Sequence, residues 1–277
     1  MSLVDSGYRW PAMDTTSGPS TPAPDPRPGP GTIGELVQRL EGMQDAMSAA
    51  DGRQHFLRVY TNTTRAVGEE LRTASLGGFL DPPWVERWDL AFAGLYTAAF
   101  DAWMRGESTT PGPWAVAFAA ARDRPTDPPL RHVLFGINAH VNCDLPQALL
   151  SVITDQQFDD PMVAERRRRD HEHIDRVLAS RVGEEDRALP GSRTLTDRLL
   201  TPLNRQGTKR FLKEARQKVW RNAYALSKAR VIGPDAYGAR LRELEKLCAD
   251  RVADLVAPGQ VILKLARDGF GVVLSGA

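Results

Sequence analysis

Two histidine–aspartate pairs with the spacing H-x-x-x-D are the residues of this sequence best suited to chemistry. His140 and Asp144 lie in HVLFGINAHVNCDL, and His171 and Asp175 lie in DHEHID. Residues four apart are neighbours on one face of a helix, so each pair presents an imidazole beside a carboxylate. Together the two pairs would supply two nitrogen and two oxygen ligands for zinc, manganese or iron, which would act as a Lewis acid or activate water.

Metal-free chemistry is the alternative at the first pair. The flanks of His140 are apolar, which predicts that this histidine and Asp144 are buried and act as an acid–base pair. Asp89, in the aromatic segment ERWDLAFAGLY, is a third candidate, as a ligand or a general base. Three structural interpretations stay open: a buried His140–Asp144 hydrogen bond, an Asp89–Arg87 ion pair, and a solvated helix face around His171.

Polar and aromatic side chains around these positions are candidates for binding a substrate. They are Arg87, Tyr96, His132, Asn138, Asn142, Arg216 and Trp220. The two asparagines form a further i, i+4 pair whose amides could orient a carbonyl or hydroxyl group. Arg216 and Trp220 share a helical face that suits an anionic or polar group, although an arginine lying over a core stripe has the same pattern. In a metal-free site, Trp88, Tyr96, Trp103 and Trp220 would shape the cavity.

Helical periodicity extends along the chain from Thr32 onwards, without clear strand patterns. Thr32 is suited to cap a first helix, TIGELVQRLEGMQDAM, and PPWVERWDLAFAGLYTAAFDAWMRG is typical of a helix that begins with prolines and ends at Gly106. In PPLRHVLFGINAHVNCDLPQALLSVI, Pro146 is expected to kink the helix or to end its first half. The sequence therefore predicts an all-α, single-domain bundle of roughly eight to ten helices over residues 32–277. Residues 1–31, rich in Pro, Ser, Thr and Gly, are expected to form a flexible extension.

The composition narrows the classes of partner. Thirty-six basic and 35 acidic residues leave a formal net charge of +1, so no overall field favours nucleic acid or an anionic membrane. We expect no membrane insertion and no secretion, because no apolar run approaches ~18 residues and no basic region precedes an apolar one at the N-terminus. Cys143 and Cys248 form no C-x-x-C motif, which argues against a disulfide framework and a cysteine zinc site. We expect a cytoplasmic protein with a small-molecule substrate and leave its oligomeric state open.

The segments that carry these candidates also resemble a known family. Arg87–Tyr96 follows R-x-D-x-x-F-A-x-L-Y, His132–Leu145 follows H-x-L-x-G-x-N-A-H-x-N-x-D-L, and Ala215–Ala223 follows A-R-x-x-x-W-x-x-A. Over roughly residues 50–260 the chain looks like a family of helical bacterial proteins of unknown function, best represented in actinomycetes. This resemblance implies a helical fold and supports the choice of residues, but it implies no activity. A looser similarity is to the helical zinc-dependent phospholipase C and single-strand nuclease group, which also uses H-x-x-x-D ligand pairs.

We therefore expect a cytoplasmic all-α enzyme with a buried His/Asp/Asn pocket that acts on a small molecule, in a hydrolase-like reaction if a metal binds. One alternative is a metal-independent cyclase or isomerase of specialised metabolism that uses the same pocket. Another is a non-catalytic small-molecule binding or scaffolding protein. The metal hypothesis predicts that His140→Ala and His171→Ala each remove metal and activity. The metal-free hypothesis predicts activity that resists chelators but is lost in His140→Ala or Asp144→Asn.

Overall fold

The computed structural model describes residues 30–188, 205–259, 264–265 and 269–276, which contain helices and connecting loops and no strand. The helices are α1 (Ile33–Asp45), α2 (Arg53–Thr73), α3 (Pro82–Met104), α4 (Gly112–Asp123), α5 (Pro129–Ala139), a π-helical turn (His140–Asp144), α6 (Leu145–Val152), α7 (Asp155–Asp159), α8 (Pro161–Ala188), α9 (Arg205–Ile232) and α10 (Pro234–Val256). The predicted all-α class is confirmed. The predicted N-terminal extension lies, up to residue 29, outside the described residues.

Local sequence sets the helix ends as predicted. Thr32 Oγ1 accepts the backbone N–H three residues further on at 3.2 Å and so caps α1. Helix α3 begins at Pro82, whose missing N–H would be unpaired in any first turn, and Asp81 caps it by accepting from the N–H of Trp84. Beyond the other end of α3, Gly106 takes a φ of +69°, a left-handed conformation that glycine adopts without strain.

The helix that begins with α5 continues past Pro146 because the turn before this proline is wider than an α-helical turn. In the π-helical turn, the backbone N–H of Leu145 bonds to the carbonyl of His140, five residues earlier. Pro146 has no N–H to donate to the Asn142 carbonyl, and its ring would clash with that carbonyl in a regular α-helix. The wider turn removes this conflict and lets α6 continue from α5. Pro146 therefore changes the type of helix instead of ending it.

Gly136 of α5 allows helices α2 and α5 to pack closely together. A Cβ at Gly136 would lie 2.3 Å from a ring carbon of Phe56, so a side chain at this position would push α2 away from α5. Because α2 lies so close, the rings of Phe56 and Tyr60 reach His140, at centroid distances of 5.9 and 4.6 Å. Close helix packing thus positions aromatic side chains around the π-helical turn.

None of the described helices is long and apolar enough to cross a membrane. Cys143 and Cys248, which are far apart in sequence, are both buried and free. Their thiols are hydrogen-bonded to each other, and this bond together with burial raises the pKa of Cys143. The contact ties the π-helical turn to α10.

Candidate acid–base site

His140, Asp144 and Trp114 form a buried, hydrogen-bonded row at the π-helical turn. Nδ1 of His140 lies 2.8 Å from Oδ2 of Asp144, and the same oxygen accepts the indole N–H of Trp114, from α4, at 2.8 Å. None of the three side chains belongs to a residue more than 3% exposed. The predicted burial and pairing of His140 with Asp144 are confirmed. The turn that holds them is of a type found frequently at functional sites.

Aromatic rings from three helices enclose the imidazole of His140. Phe92 of α3 stacks on it, with centroids 3.6 Å and planes 6° apart, and Tyr60 of α2 meets it edge-on at 4.6 Å. Tyr96 and Trp114 approach it at 5.9 and 5.8 Å. These contacts fix the plane of the ring and therefore the directions of both nitrogens. Nε2 is buried and has no hydrogen-bond partner among the described residues.

Burial favours the uncharged form of this imidazole. Desolvation lowers the pKa of His140 below 6.5, and the hydrogen bond to Asp144 only partly opposes it. Desolvation also raises the pKa of Asp144, against the hydrogen bonds from His140 and Trp114. In the tautomer in which Nδ1 donates to Asp144, the neutral ring carries its lone pair on Nε2. An oriented imidazole with a free lone pair has the form of a general base.

Asp89 of α3 is a second buried group without a partner among the described residues. It is 9% exposed, and its Oδ2 is buried with no hydrogen-bond partner in the described part of the chain. Burial raises the pKa of Asp89 from 3.8 to about 7. Burial and, secondly, the charge of Asp89 raise the pKa of Tyr60, whose ring touches His140. Asp89 lies one helical turn before Phe92, which stacks on His140, and burial displaces the pKa values of Asp89 and His140 in opposite directions, as in an acid–base pair.

Further buried polar atoms in this interior lack partners among the described residues. They are Oη of Tyr96, Nε1 of Trp88 and Nε2 of His171. The rings of Trp88 and His171 lie 5.3 Å apart, and burial lowers the pKa of His171 well below 6.5. Each unpaired buried group costs about 1–3 kcal/mol, which makes such groups rare in folded proteins. These atoms therefore have hydrogen-bonding capacity that no described residue uses.

The two predicted arginines, Arg87 and Arg216, lie in different surroundings. Arg87 is exposed, because residues two apart on a helix do not share a face. The expected ion pair between Arg87 and Asp89 is therefore wrong, and Arg87 lies outside the buried cluster around His140. Arg216 binds the carboxylate of Asp175 and donates to the carbonyl of His171 at 2.8 Å. These bonds join α9 to α8.

The amides of the two predicted asparagines are hydrogen-bonded to other groups of the chain. Asn142 donates to Oδ1 of Asn138 at 3.0 Å and to the carbonyl of Phe270 at 3.1 Å. Asn138 in turn donates to the carbonyl of Leu134. Their amides are thus bonded to the chain itself, and they tie the residues near the C-terminus to the π-helical turn.

The remaining predicted substrate-binding residues lie in different parts of the molecule. Tyr96 is fully buried, and its ring lies 5.9 Å from that of His140. His132 lies two helical turns before His140 and stacks on His55 at 5.7 Å. Trp220 lies 6.0 Å from the ring of His171 and borders the interior from α9.

The two H-x-x-x-D pairs do not converge on one metal site. Asp144 is bonded to His140 and Trp114, whereas Asp175 is bonded to Arg216. In the part of the chain whose side chains are described, no three His, Cys, Asp or Glu side chains are grouped so that they could hold a metal ion. The four ligands predicted for zinc, manganese or iron are therefore not assembled here.

Three further residues contact His140, although the sequence predicted no site role for them: Tyr60, Phe92 and Trp114. Each reaches His140 from a different helix, so no local spacing connects them to it. Phe92 stands in the segment that resembles a family, and Tyr60 lies on the apolar face of α2, but neither pattern marks a contact with a histidine. Trp114 has no local signal at all.

A surface groove of about 850 Å³ lies apart from this site, between α1, α2 and the start of α3. Its lining includes Ile33, Val37, Arg65 and Leu71. None of the buried unpartnered atoms described above faces this groove, and Arg65 is already paired with Glu41. The unpartnered buried atoms around His140 and Asp89 therefore lie away from the groove.

The fold and the site together define an all-α protein with a buried histidine–aspartate pair at a π-helical turn. The chain belongs to the family of unknown function DUF5995, whose family model matches residues 33–258. This match confirms the resemblance to a family of unknown function, and it brings no activity with it. No curated protein and no solved structure matches the chain.

Proposed function

We propose that this protein is an enzyme that transfers protons to and from a small molecule held in the interior beside His140, as in an isomerisation or cyclisation. The observation that carries the proposal is the buried, unpaired Nε2 of His140, opposite an Nδ1 that is bonded to Asp144. Asp144 orients the ring and stabilises the imidazolium that forms when Nε2 takes a proton. Trp114 holds Asp144 in place by donating to the same oxygen.

Asp89 supplies the second proton-transfer group. Its pKa of about 7 keeps both its acid and its base form populated near neutral pH. In a reaction without net proton uptake, the proton taken by His140 is matched by one that Asp89 donates. Among the expected activities, these contacts favour the metal-independent one, because Asp144 and Asp175 are bonded to neighbouring side chains.

Deuterium exchange tests the proposal without knowledge of the substrate. The protein is incubated in D2O with a bacterial small-molecule extract, and mass spectrometry records which compounds gain deuterium. We expect at least one compound to exchange, and His140→Gln to slow its exchange by at least about 100-fold. The matched control is His173→Gln, because His173 is a buried histidine that is bonded to Glu70 at 3.0 Å.

The outcomes separate the alternatives clearly. Exchange that survives His140→Gln would assign the chemistry to other residues and contradict the proposal. Compounds that bind and stabilise the protein without exchanging would show a binding protein instead of an enzyme. Equal losses in His140→Gln and His173→Gln would indicate damage to the fold.

A further inference from the structure

The described part of the chain contains a buried carboxyl group without a counter-charge. Asp89 is buried, and no basic side chain of the described residues is paired with it. Arg87, on the same helix, is exposed, and Arg216 is bonded to Asp175. Asp144 shows the contrast, because its carboxylate receives two hydrogen bonds from protein donors. The carboxyl group of Asp89 thus lacks both a hydrogen-bond donor at Oδ2 and a paired basic side chain among the described residues.

Aromatic rings border the same region. Phe92 lies one helical turn after Asp89 on α3 and is stacked on His140. Tyr60 meets the edge of Phe92 at 6.2 Å, and the charge of Asp89 contributes to its raised pKa. A ligand that reaches Asp89 would therefore lie against rings as well as beside a carboxylate.

This combination is chemically complementary to an organic ammonium group. A positive charge beside a buried carboxylate offsets the desolvation of both, whereas an anion would be repelled. Aromatic faces attract ammonium groups through their negative electrostatic potential. A primary ammonium also carries three N–H donors, and both Asp89 Oδ2 and His140 Nε2 are acceptors without a partner in the described chain.

We propose that the interior site binds the primary ammonium group of a small organic molecule, with Asp89 as its counter-ion and the rings of Tyr60 and Phe92 beside it. This ligand class extends the proposed function and rests on it, because the bound amine is taken to be the molecule on which His140 acts. For a bound amine, Asp89 is the ionised counter-ion, so Nε2 of His140 both takes a proton from the molecule and returns it at a neighbouring position, in place of the donation from Asp89 described for an uncharged substrate. The inference assigns a ligand class, and amine binding can be measured apart from proton transfer.

Matched amines and alcohols test the assignment on the full-length protein. Methylamine, ethylamine, butylamine and benzylamine are compared with the alcohols of the same carbon skeleton at about pH 8, where alkylamines are cationic. Binding is measured by calorimetric titration and by thermal stabilisation, at constant ionic strength. We expect at least one amine to bind at least about tenfold more tightly than its alcohol, and Asp89→Asn to remove this preference. Asp101→Asn is the control, because Asp101 lies on the same helix and is paired with Arg39 at 2.8 Å.

A spectroscopic measurement on the wild-type protein keeps the inference testable if Asp89→Asn fails to fold. Methylamine labelled with carbon-13 should give nuclear Overhauser contacts to ring protons of Tyr60 and Phe92. Equal binding of amines and alcohols, amine binding that Asp89→Asn leaves intact, or the absence of both binding and ring contacts would each overturn the inference. Deuterium exchange that persists while amines fail to bind would overturn the ligand class alone. Amine binding without exchange would uphold the ligand class and overturn the proposed enzyme function.

Discussion

Nδ1 of His140 lies 2.8 Å from Oδ2 of Asp144 across a turn that is wider than an α-helical turn because Pro146 follows it. The pairing directs Nε2 into the interior and leaves it without a partner among the described residues. It also accounts for the polar groups in an otherwise apolar segment. The histidine and aspartate form the site, while Asn138 and Asn142 bond to each other and to the chain.

The protonation of His140 gives the first prediction. Because burial lowers its pKa, we expect the ring to titrate with a midpoint below 6.5 and, when neutral, to carry the proton on Nδ1 and the lone pair on Nε2. Long-range proton–nitrogen correlation spectra of labelled protein measure both the tautomer and the titration. The spectrum of His140→Gln identifies the resonances. A midpoint at or above 6.5, or a proton on Nε2, would contradict the assigned base.

The second prediction concerns the cost of an ionised Asp89. Raising a carboxyl pKa from 3.8 to about 7 costs about 1.4 kcal/mol for each pH unit between the two values, or on the order of 4 kcal/mol once the group is ionised. Because the folded-state pKa is the higher one, this cost is present above about pH 7 and disappears as the pH falls towards 4. We expect Asp89→Asn to unfold at higher denaturant concentration than the wild type near pH 8 and to lose that advantage near pH 4.

Asp101→Asn is the control for this measurement. Asp101 is on the same helix, but it is partly exposed and paired with Arg39, so its loss should lower the free energy of unfolding by at most about 1 kcal/mol. If Asp89→Asn is instead less stable than the wild type near pH 8, Asp89 makes a favourable interaction and is not an unpaired carboxylate.

The close approach of α2 and α5 gives the third prediction. In Gly136→Ala, the new Cβ would lie 2.3 Å from the Phe56 ring, so either the ring or a helix must move. We expect a loss of about 1–3 kcal/mol in the free energy of unfolding, with changed chemical shifts at Tyr60 and His140. Gly94→Ala on α3 is the matched control, since its Cβ would have nothing within 4 Å. That change should stabilise the protein by about 0.5–1 kcal/mol, because alanine is the better helix former. Equal stability of the two variants would refute the close contact.

The sequence predicted those features that depend on neighbours along one helix. Thr32 caps α1, α3 begins at its prolines, and the four-residue spacing brings His140 and Asp144 together. The same rules could have excluded the pairing of Arg87 with Asp89, because residues two apart on a helix do not share a face.

Contacts between helices explain what could not be predicted. The spacing of His171 and Asp175 is the same as in the first pair, yet Arg216 from α9 takes the carboxylate of Asp175. Likewise, Trp114 reaches Asp144 only because α4 packs beside the π-helical turn. No local pattern encodes which distant side chain will satisfy a buried carboxylate.

Trp114 gives the last prediction, because its indole N–H is one of the two donors to Asp144. Trp114→Phe keeps an aromatic ring but removes the donor, so we expect a loss of about 1–3 kcal/mol in the free energy of unfolding. With one hydrogen bond fewer, the pKa of Asp144 should rise further, and the loss should therefore be larger near pH 8, where the carboxylate is charged, than near pH 5. Trp103→Phe is the control, because the rings of Trp103 and Trp114 both pack against Phe118. The control should show a loss that does not change with pH, since it removes packing and no hydrogen bond to a carboxylate. Denaturant unfolding of both variants at the two pH values makes the comparison, and a pH-independent loss in Trp114→Phe would mean that Trp114 acts on Asp144 through packing alone.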